Sequence, residues 1–494
     1  MILRFAAFIL LVFSLRHLSN ADSPPLTIQY NFQDKEIPLS SGSRLYLWNV
    51  AGDDTRELVI QNQRTFAVYR IDLENKTLIP LQQFTIPLKP GDKGPYYYSF
   101  GSPDEQNRGS LLVLSPEGLD SFPQAREKPG FRESPEKILE RQCYPSPDKP
   151  DISLRPVRFS LDMDQDGYDE LILPDARSFH VLKKTGNEFQ DIPLPVDIGH
   201  LSTSFDVTDT ISFHTSSHSN VIFLRIGDNK TYSLLLIKDH PENREGRIFS
   251  LHHPRSPLSF SDTPDQEIIL PGISQRNIFF MDLNKDGFMD ILTKESNYNL
   301  LSPLTKVDVY LSPEKPKAVF QEPTQELRIG DPDGMIYFGD FSGDGLVDIC
   351  AVQLAYKASS TEDFVEYFAG NHFRLILAFY LFHPTIDKYL SAPDFTLPLI
   401  MDFTTSPYRR PLLSINTQAD FNGDGRKDIL AWVKPDLMEI YTMTSSDRIH
   451  TKPYAKLQVS EVTNYVIGQI DQGKADDVAI YSLKKRRVTL FIFR

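Results

Sequence analysis

Four segments of the chain align without gaps, and their spacing restricts the fold more than any other feature. They are DMDQDGYDELIL from Asp162, DLNKDGFMDILT from Asp282, DFSGDGLVDICA from Asp340 and DFNGDGRKDILA from Asp420. The shared pattern is D-x-[DNS]-x-D-G-x-x-[DE], followed by apolar residues. Self-similarity at intervals of this size marks an array of like units that bury one another's faces. The loops begin at 162, 282, 340 and 420, so the steps are 120, 58 and 80 residues. A step of 58 reads as one unit, 120 as two, and 80 as one unit with an insertion.

Oxygen donors at alternate positions of a tight turn converge on one point, which is what a hard cation such as Ca²⁺ requires. Positions 1, 3 and 5 supply Asp162, Asp164 and Asp166; Asp282, Asn284 and Asp286; Asp340, Ser342 and Asp344; and Asp420, Asn422 and Asp424. Position 6 must bend sharply, often with positive φ, and is glycine in all four: Gly167, Gly287, Gly345 and Gly425. Position 7 would offer a backbone carbonyl, from Tyr168, Phe288, Leu346 or Arg426, and these side chains share nothing. Position 9 closes the set with a carboxylate from Glu170, Asp290, Asp348 or Asp428. About four Ca²⁺ sites are therefore expected, the weakest at Asp340, where Ser342 replaces a carboxylate or amide. The bland alternative, acidic Asx-type turns without metal, leaves crowded carboxylates without a counter-ion. An EF-hand shares the opening of the pattern but needs a glutamate at position 12 and flanking helices. Position 12 here is Leu173, Thr293, Ala351 and Ala431, and each loop runs into a short strand-like stretch.

Weaker copies fill the period. Val221–Asp228 with Tyr232–Ile237 fits in phase between the first two loops but lacks ligands. Asn49–Ile60, Phe100–Leu114 and Gly468–Ile480 keep the shape with decayed ligand sets. That makes eight units of about 50–60 residues, or seven if one decayed unit is false. Each unit reads as four short strands, for example Val157–Leu161, Glu170–Leu173, Phe179–Lys183 and Phe189–Leu194. Such a unit cannot bury its own faces, and radial stacking solves this, so the expected fold is an all-β propeller of four-stranded antiparallel blades. The last unit ends after its third strand, Val488–Phe493, and the strand near Leu26–Phe32 is left over to complete that blade. Two inserts break the rhythm, near Gln124–Pro150 and Tyr356–His372. In the first, Ser134-Pro135-Glu136 carries an N-cap residue with proline at N1 and predicts a short helix.

The N-terminus, MILRFAAFILLVFSLRHLSNADSPP, has a positive Arg4, an apolar stretch too short to span a bilayer and small residues at Ser19-Asn20-Ala21. Residues 1–21 read as a secretory signal and 22–494 as a single propeller, placing the mature chain outside the cytoplasm, secreted or periplasmic. No later apolar stretch approaches the length of a membrane span. The formal net charge of −14 sets a general nucleic-acid binder aside. Two cysteines, Cys143 and Cys350, do not make a disulfide scaffold, and whether they pair is open. Asn75-Lys76-Thr77 and Asn229-Lys230-Thr231 fit the glycosylation sequon, which matters only in a eukaryotic secretory pathway.

The four loops resemble the FG-GAP or VCBS-type repeats of the integrin α-chain propeller and of many secreted bacterial proteins. The resemblance implies a propeller with Ca²⁺ in the loop between the first two strands of some blades. The Phe-Gly and Gly-Ala-Pro portions that name the repeat are mostly absent, with partial echoes at Phe100-Gly101-Ser102-Pro103 and Phe338-Gly339. No HExxH, G-x-S-x-G or P-loop is present. His214 and His218 would share a face if helical, but their surroundings read as loop, and His252-His253 is equally weak as a metal site. Some propellers of this repeat type are lectins or polysaccharide lyases, and Tyr96-Tyr97-Tyr98, Tyr356 and Tyr367 could stack on sugars, although strand and core roles fit them better. The expected function is a non-catalytic scaffold that binds a protein or glycan partner, with a carbohydrate-active propeller as the alternative.

Overall fold

The apolar run after each loop is long enough to fill both faces of one strand, and the structure uses both. Successive side chains of a strand point to opposite faces. In the strand Ile429–Lys434, Ile429, Ala431 and Val433 pack toward one neighbouring sheet, while Leu430 packs toward the other. In Asp477–Ser482, Val478 and Ile480 face one way and Ala479 and Tyr481 the other. A sheet buried on both faces needs a sheet on each side, and a closed ring provides that for every member.

The computed structural model describes residues 24–494 except 33–39, 41, 51–55, 88–93, 104–108, 126–129, 141–142, 144–152, 175–178, 187, 195–200, 206–210, 216–219, 227–230, 240–245, 256–257, 271–277, 298–303, 330–334, 356–371, 403–414, 445–447 and 460–461. Among the described residues every regular element is a β-strand. Eight antiparallel blades form the ring, the higher of the two counts expected. Blade 1 comprises Arg44–Trp48, Glu57–Asn62, Thr65–Asp72 and Thr77–Thr85. Blade 2 begins with Tyr96–Gly101, Ser110–Ser115 and Gly118–Phe122, and blade 3 with Ser160–Leu161, Glu170–Pro174 and Phe179–Thr185. Blade 4 is built on Asn220–Leu224, Ser233–Asp239, Arg247–His252 and Gln266–Leu270. Blades 5, 6 and 7 open with Ile278–Met281, Ile336–Gly339 and Ile415–Asn416. Blade 8 takes Asn464–Gly468, Asp477–Ser482 and Arg487–Ile492 from the end of the chain and its fourth strand, Leu26–Asn31, from the beginning.

That closure follows the expectation for the leftover strand. Leu26 to Asn31 pairs residue by residue with Ile492 to Arg487. Arg487 adds side-chain bonds to Asn31 Oδ1 at 2.7 Å and Gln29 Oε1 at 3.2 Å. Closure removes the open strand edges that would otherwise face solvent at the seam.

The core is divided into eight apolar layers, each shared by two consecutive blades. The layer between blades 8 and 1, for example, joins Ile28, Tyr481 and Leu490 to Leu47, Leu58 and Ile60. The layer between blades 6 and 7 joins Phe379, Leu399 and Met401 to Ile415 and Ile429. At about 1.5–3 kcal/mol per fully buried large aliphatic or aromatic side chain, these layers are the dominant favourable term. First strands of adjacent blades also meet around the axis, as Phe279 does Phe338 with ring centroids 4.8 Å apart. Cys143 and Cys350 are not joined in a disulfide; both are buried, in different layers, between blades 2 and 3 and between blades 6 and 7.

Three glutamines clasp one blade to the next. Gln266 of blade 4 accepts from Met289 N at 2.8 Å and donates to Met289 O at 2.9 Å. Gln325 makes the same pair of bonds to Tyr389, and Gln82 to Phe131. An amide side chain carries one acceptor and two donors, so it can replace a missing strand partner for an isolated backbone unit.

Three expectations need correction or completion. Ser134-Pro135-Glu136 does not start a helix; Glu136–Glu140 is the fourth strand of blade 2, paired with Gly118–Phe122. Pairing with an otherwise bare strand edge outweighs the local capping signal there. Blade 4 is not a plain four-stranded unit: its sheet has seven strands, extended by the hairpin Leu201–Phe205/Ile211–Thr215 on one side and by Lys317–Val319 on the other. His214 therefore lies on a strand and not in a loop, while His218 lies outside the described residues. Residues 1–21 and most of the insert near 356–372, including Tyr356 and Tyr367, also lie outside them.

The glutamine clasp gives a direct test. Gln266→Leu leaves the Met289 N–H without its acceptor in a buried site. Equilibrium urea unfolding should show a loss of about 1–3 kcal/mol, the cost of stranding a buried backbone group. An unchanged midpoint would remove the clasp from the account of blade cohesion.

Candidate metal centres

All four acidic loops join the first strand of a blade to its second, so they lie on one rim of the ring, in blades 3, 5, 6 and 7. They share one hydrogen-bond pattern. The N–H of position 6 donates to Oδ2 of the position-1 aspartate, from Gly167, Gly287, Gly345 and Gly425 at 3.2, 2.9, 2.8 and 2.7 Å. The N–H of position 7 donates to Oδ1 of the position-5 aspartate, from Tyr168, Phe288, Leu346 and Arg426 at 2.9, 2.8, 2.8 and 2.9 Å. The position-6 glycines have φ between 84° and 89°, as their role in the turn requires. Position 4 is also left-handed, at Gln165, Lys285, Gly343 and Gly423. Sequence reading missed that second reversal, although glycine at 343 and 423 signals it.

Position 9 has a duty that the sequence pattern did not reveal. Its carboxylate accepts the backbone N–H of position 2 in every acidic loop: Met163 to Glu170 at 2.8 Å, Leu283 to Asp290 at 2.9 Å, Phe341 to Asp348 at 2.9 Å and Phe421 to Asp428 at 2.8 Å. The same bond, seven residues apart, links Val50 to Glu57 in blade 1 and Ile470 to Asp477 in blade 8, where the ligand set has decayed. In blades 5 to 8 the other carboxylate oxygen accepts an N–H just beyond the third strand, from Ser312, Phe382, Met443 and Phe493 at 2.7–3.1 Å. Position 2 is apolar and buried in all six cases, anchored in an interblade layer. Its apolar character is legible in the sequence, at Val50, Met163, Leu283, Phe341, Phe421 and Ile470.

These position-9 acids are at most 1 % exposed. In five of them burial is the largest influence on titration and outweighs the N–H donors: it pushes Asp290 and Asp428 up to about 8 and Glu170, Asp348 and Asp477 up to about 7. Burial also raises Asp162 and Asp282.

Successive loops are chained around the rim by backbone bonds from position 8. Lys427 N donates to Asp340 O at 2.9 Å, and Asp476 N to Asp420 O at 2.7 Å. Asp169 N donates to Ser102 O at 2.9 Å, and Val347 N to Leu283 O at 3.4 Å. Asp420 N in turn bonds Asp476 Oδ2 at 2.9 Å.

The donor sets differ between loops in one respect. In blade 3, carboxylate oxygens of Asp162, Asp164 and Asp166 lie within 4.8 Å of one another. Lys183 of the third strand bonds Asp164, Asp166 at 2.7 Å and Glu170 at 3.2 Å. Asp162 Oδ1 and Asp164 Oδ1 are buried and have no hydrogen-bond partner. In blades 5 and 7 the amide of position 3 turns toward position 5, Asn284 to Asp286 at 3.2 Å and Asn422 to Asp424 at 3.1 Å. In blade 6 the Ser342 hydroxyl reaches Asp340 at 3.4 Å. The chemistry of these sets, oxygen throughout and rich in carboxylate, suits a hard divalent cation. Tyr96, Tyr97 and Tyr98 are buried strand residues. His252 and His253 bond Ser261 O and Ser233 Oγ separately and do not form a metal cluster.

No family model and no curated protein matches the chain. Solved structures do. A lectin from Agrocybe aegerita, described as recognising non-reducing terminal N-acetylglucosamine, shares 13 % identity at a TM-score of 0.46, over 88 % of this chain and 94 % of its own. The Dos1 propeller shares 10 % at 0.36, over 96 % and 94 %. BBS1N, solved in complex with ARL6DN, shares 10 % at 0.35, over 82 % and 95 %. No helix among the described residues is long and apolar enough to cross a membrane.

The tie at Asp477 should be visible in the pH dependence of stability. Its folded pKa of about 7 lies above the unfolded value of 3.8, so the fold binds the proton more tightly. The associated stability is complete below about pH 4 and is lost as pH rises through about 7. Urea unfolding across this window, in chelator, should show a steeper decline for the wild type than for Asp477→Asn. Parallel profiles would refute the assignment. With these geometries fixed, the chain is an eight-bladed β-propeller with four acidic loops of one design on one rim.

Proposed function

We propose that this chain is a Ca²⁺-stapled propeller scaffold of the FG-GAP/VCBS type, acting outside the cytoplasm, that binds another macromolecule without catalysis. The observation that carries the reading is the common loop geometry. In each loop two backbone N–H groups already fix the carboxylates of positions 1 and 5, so the oxygen donors are positioned before any ion arrives. In blades 5, 6 and 7 the residues that would hold Ca²⁺ are Asp282, Asn284, Asp286 and Asp290; Asp340, Ser342, Asp344 and Asp348; and Asp420, Asn422, Asp424 and Asp428, with the carbonyls of Phe288, Leu346 and Arg426. A bound cation would offset the cost of burying the position-9 carboxylates and lock the rim.

A rigid rim and broad blade surfaces suit a partner of macromolecular size, whether protein or glycan. The apolar N-terminal stretch supports an extracytoplasmic location. Catalysis has no support in the sequence motifs, and the tyrosines proposed for sugar stacking at 96–98 are committed to the core.

Differential scanning calorimetry tests the ion. Millimolar Ca²⁺ should raise the melting temperature, and at 100 times Kd a single site contributes about 2.7 kcal/mol. Asp424→Ala should reduce both the shift and the bound Ca²⁺. No Ca²⁺-dependent shift in the wild type would end the cation reading. Affinity capture from the extracellular or periplasmic milieu, with and without chelator, tests the scaffold. Release of unsaturated sugar products would replace it with a lyase.

A further inference from the structure

The strand register places one residue of the third strand opposite each position-9 acid. One step beyond the pairs Ile291↔Tyr310, Ile349↔Tyr380, Ile429↔Tyr441 and Val478↔Phe491, these residues are Leu311, Leu381, Thr442 and Ile492. All four are uncharged. One step beyond Leu171↔Leu182 in blade 3 the residue is Lys183, and beyond Leu58↔Tyr69 in blade 1 it is Arg70. Those are also the two blades in which position 9 is glutamate, Glu170 and Glu57. The aspartates spend their second oxygen on a backbone N–H past the third strand. Glu170, one methylene longer, spends its own on the Lys183 ammonium at 3.2 Å.

We propose that Lys183 is the resident cation of the blade 3 loop, so that this loop stays ordered without a divalent ion and takes none while the lysine is in place. This rests on the cation reading of the other three loops for its contrast. The ammonium joins positions 3, 5 and 9, the carboxylates of Asp164, Asp166 and Glu170. A lysine head group has three donors, and three acceptors from one loop match them. The side chain is 18 % exposed, so the ammonium is drawn into the loop and not left in solvent. A divalent ion entering this loop would have to expel a tethered cation whose effective concentration is set by its own blade. The two buried oxygens without hydrogen-bond partners, Asp162 Oδ1 and Asp164 Oδ1, remain as unused donors. They predict that removing the ammonium exposes a working divalent site.

Calcium stoichiometry by equilibrium dialysis on the full chain decides the matter. Asp166→Asn in the wild-type background should leave the count unchanged, while Asp424→Asn lowers it by one. Lys183→Met should raise the count by one, and adding Asp166→Asn to it should cancel the gain. In chelator Lys183→Met should melt below the wild type and recover in millimolar Ca²⁺, whereas Lys183→Arg should do neither. A count that falls by one in Asp166→Asn alone overturns the proposal, even if Lys183→Met fails to fold. So does a folded Lys183→Met that neither gains calcium nor loses stability in chelator. Failure of the broader cation reading looks different: the wild type binds no calcium and Asp424→Asn changes nothing, while Lys183→Met still gains or fails to gain its site.

Discussion

A buried carboxylate accepting the N–H of a residue seven positions earlier organises this molecule. The apolar side chain of position 2 must enter the layer between two blades, which draws its own N–H into the interior after the first strand has ended. No strand ladder is available there, and an unpaired buried N–H is costly. Glu57, Glu170, Asp290, Asp348, Asp428 and Asp477 each supply the acceptor. In four of them the second oxygen catches the chain as it leaves the third strand. One side chain thus ties the entry of the blade, its second strand and its third-strand exit. The cost of holding that charge away from water is written in the raised titration of Glu170, Asp290, Asp348, Asp428 and Asp477, and a positive charge in the adjoining loop reduces that cost.

Much of this was legible before the structure. Spacing and alternation indicated strand-rich units, their number, and a last blade completed by the strand near Leu26. The position-6 glycines were read correctly as left-handed residues. What escaped was whatever depends on contacts between units. Gln266, Gln325 and Gln82 look like ordinary polar strand residues, and only the neighbouring blade reveals them as clasps. Lys183 looks like a solvated strand residue until the pairing sets it opposite Glu170. Glu136–Glu140 carries helix-start signals that an unfilled sheet edge overrides. Position 9 was recognised as special, but a ligand pattern and a backbone tie select the same residue type, and sequence alone does not separate them.

The ring explains why the blades tolerate such different decoration. Each blade buries both faces against neighbours, so its stability is a sum of two local interfaces. An insertion in one blade leaves the other six interfaces untouched. Blade 4 carries the largest departure, an added hairpin beyond Asn220–Leu224 and a parallel strand from the next unit beyond Gln266–Leu270, yet its layers with blades 3 and 5 are intact.

Blades 1 and 8 separate what a blade needs from what the acidic loop adds. Both have lost the acidic spacing of positions 1, 3 and 5, and both keep the buried apolar position 2 and the carboxylate at position 9. The tie therefore stands without the ligand set, whereas among the described loops no ligand set occurs without the tie. The proposed cation sites on this rim would elaborate a structural carboxylate already in place. The extra acids at positions 1, 3 and 5 raise the local negative charge, and that charge needs a partner from outside the chain or, as Lys183 illustrates, from within it.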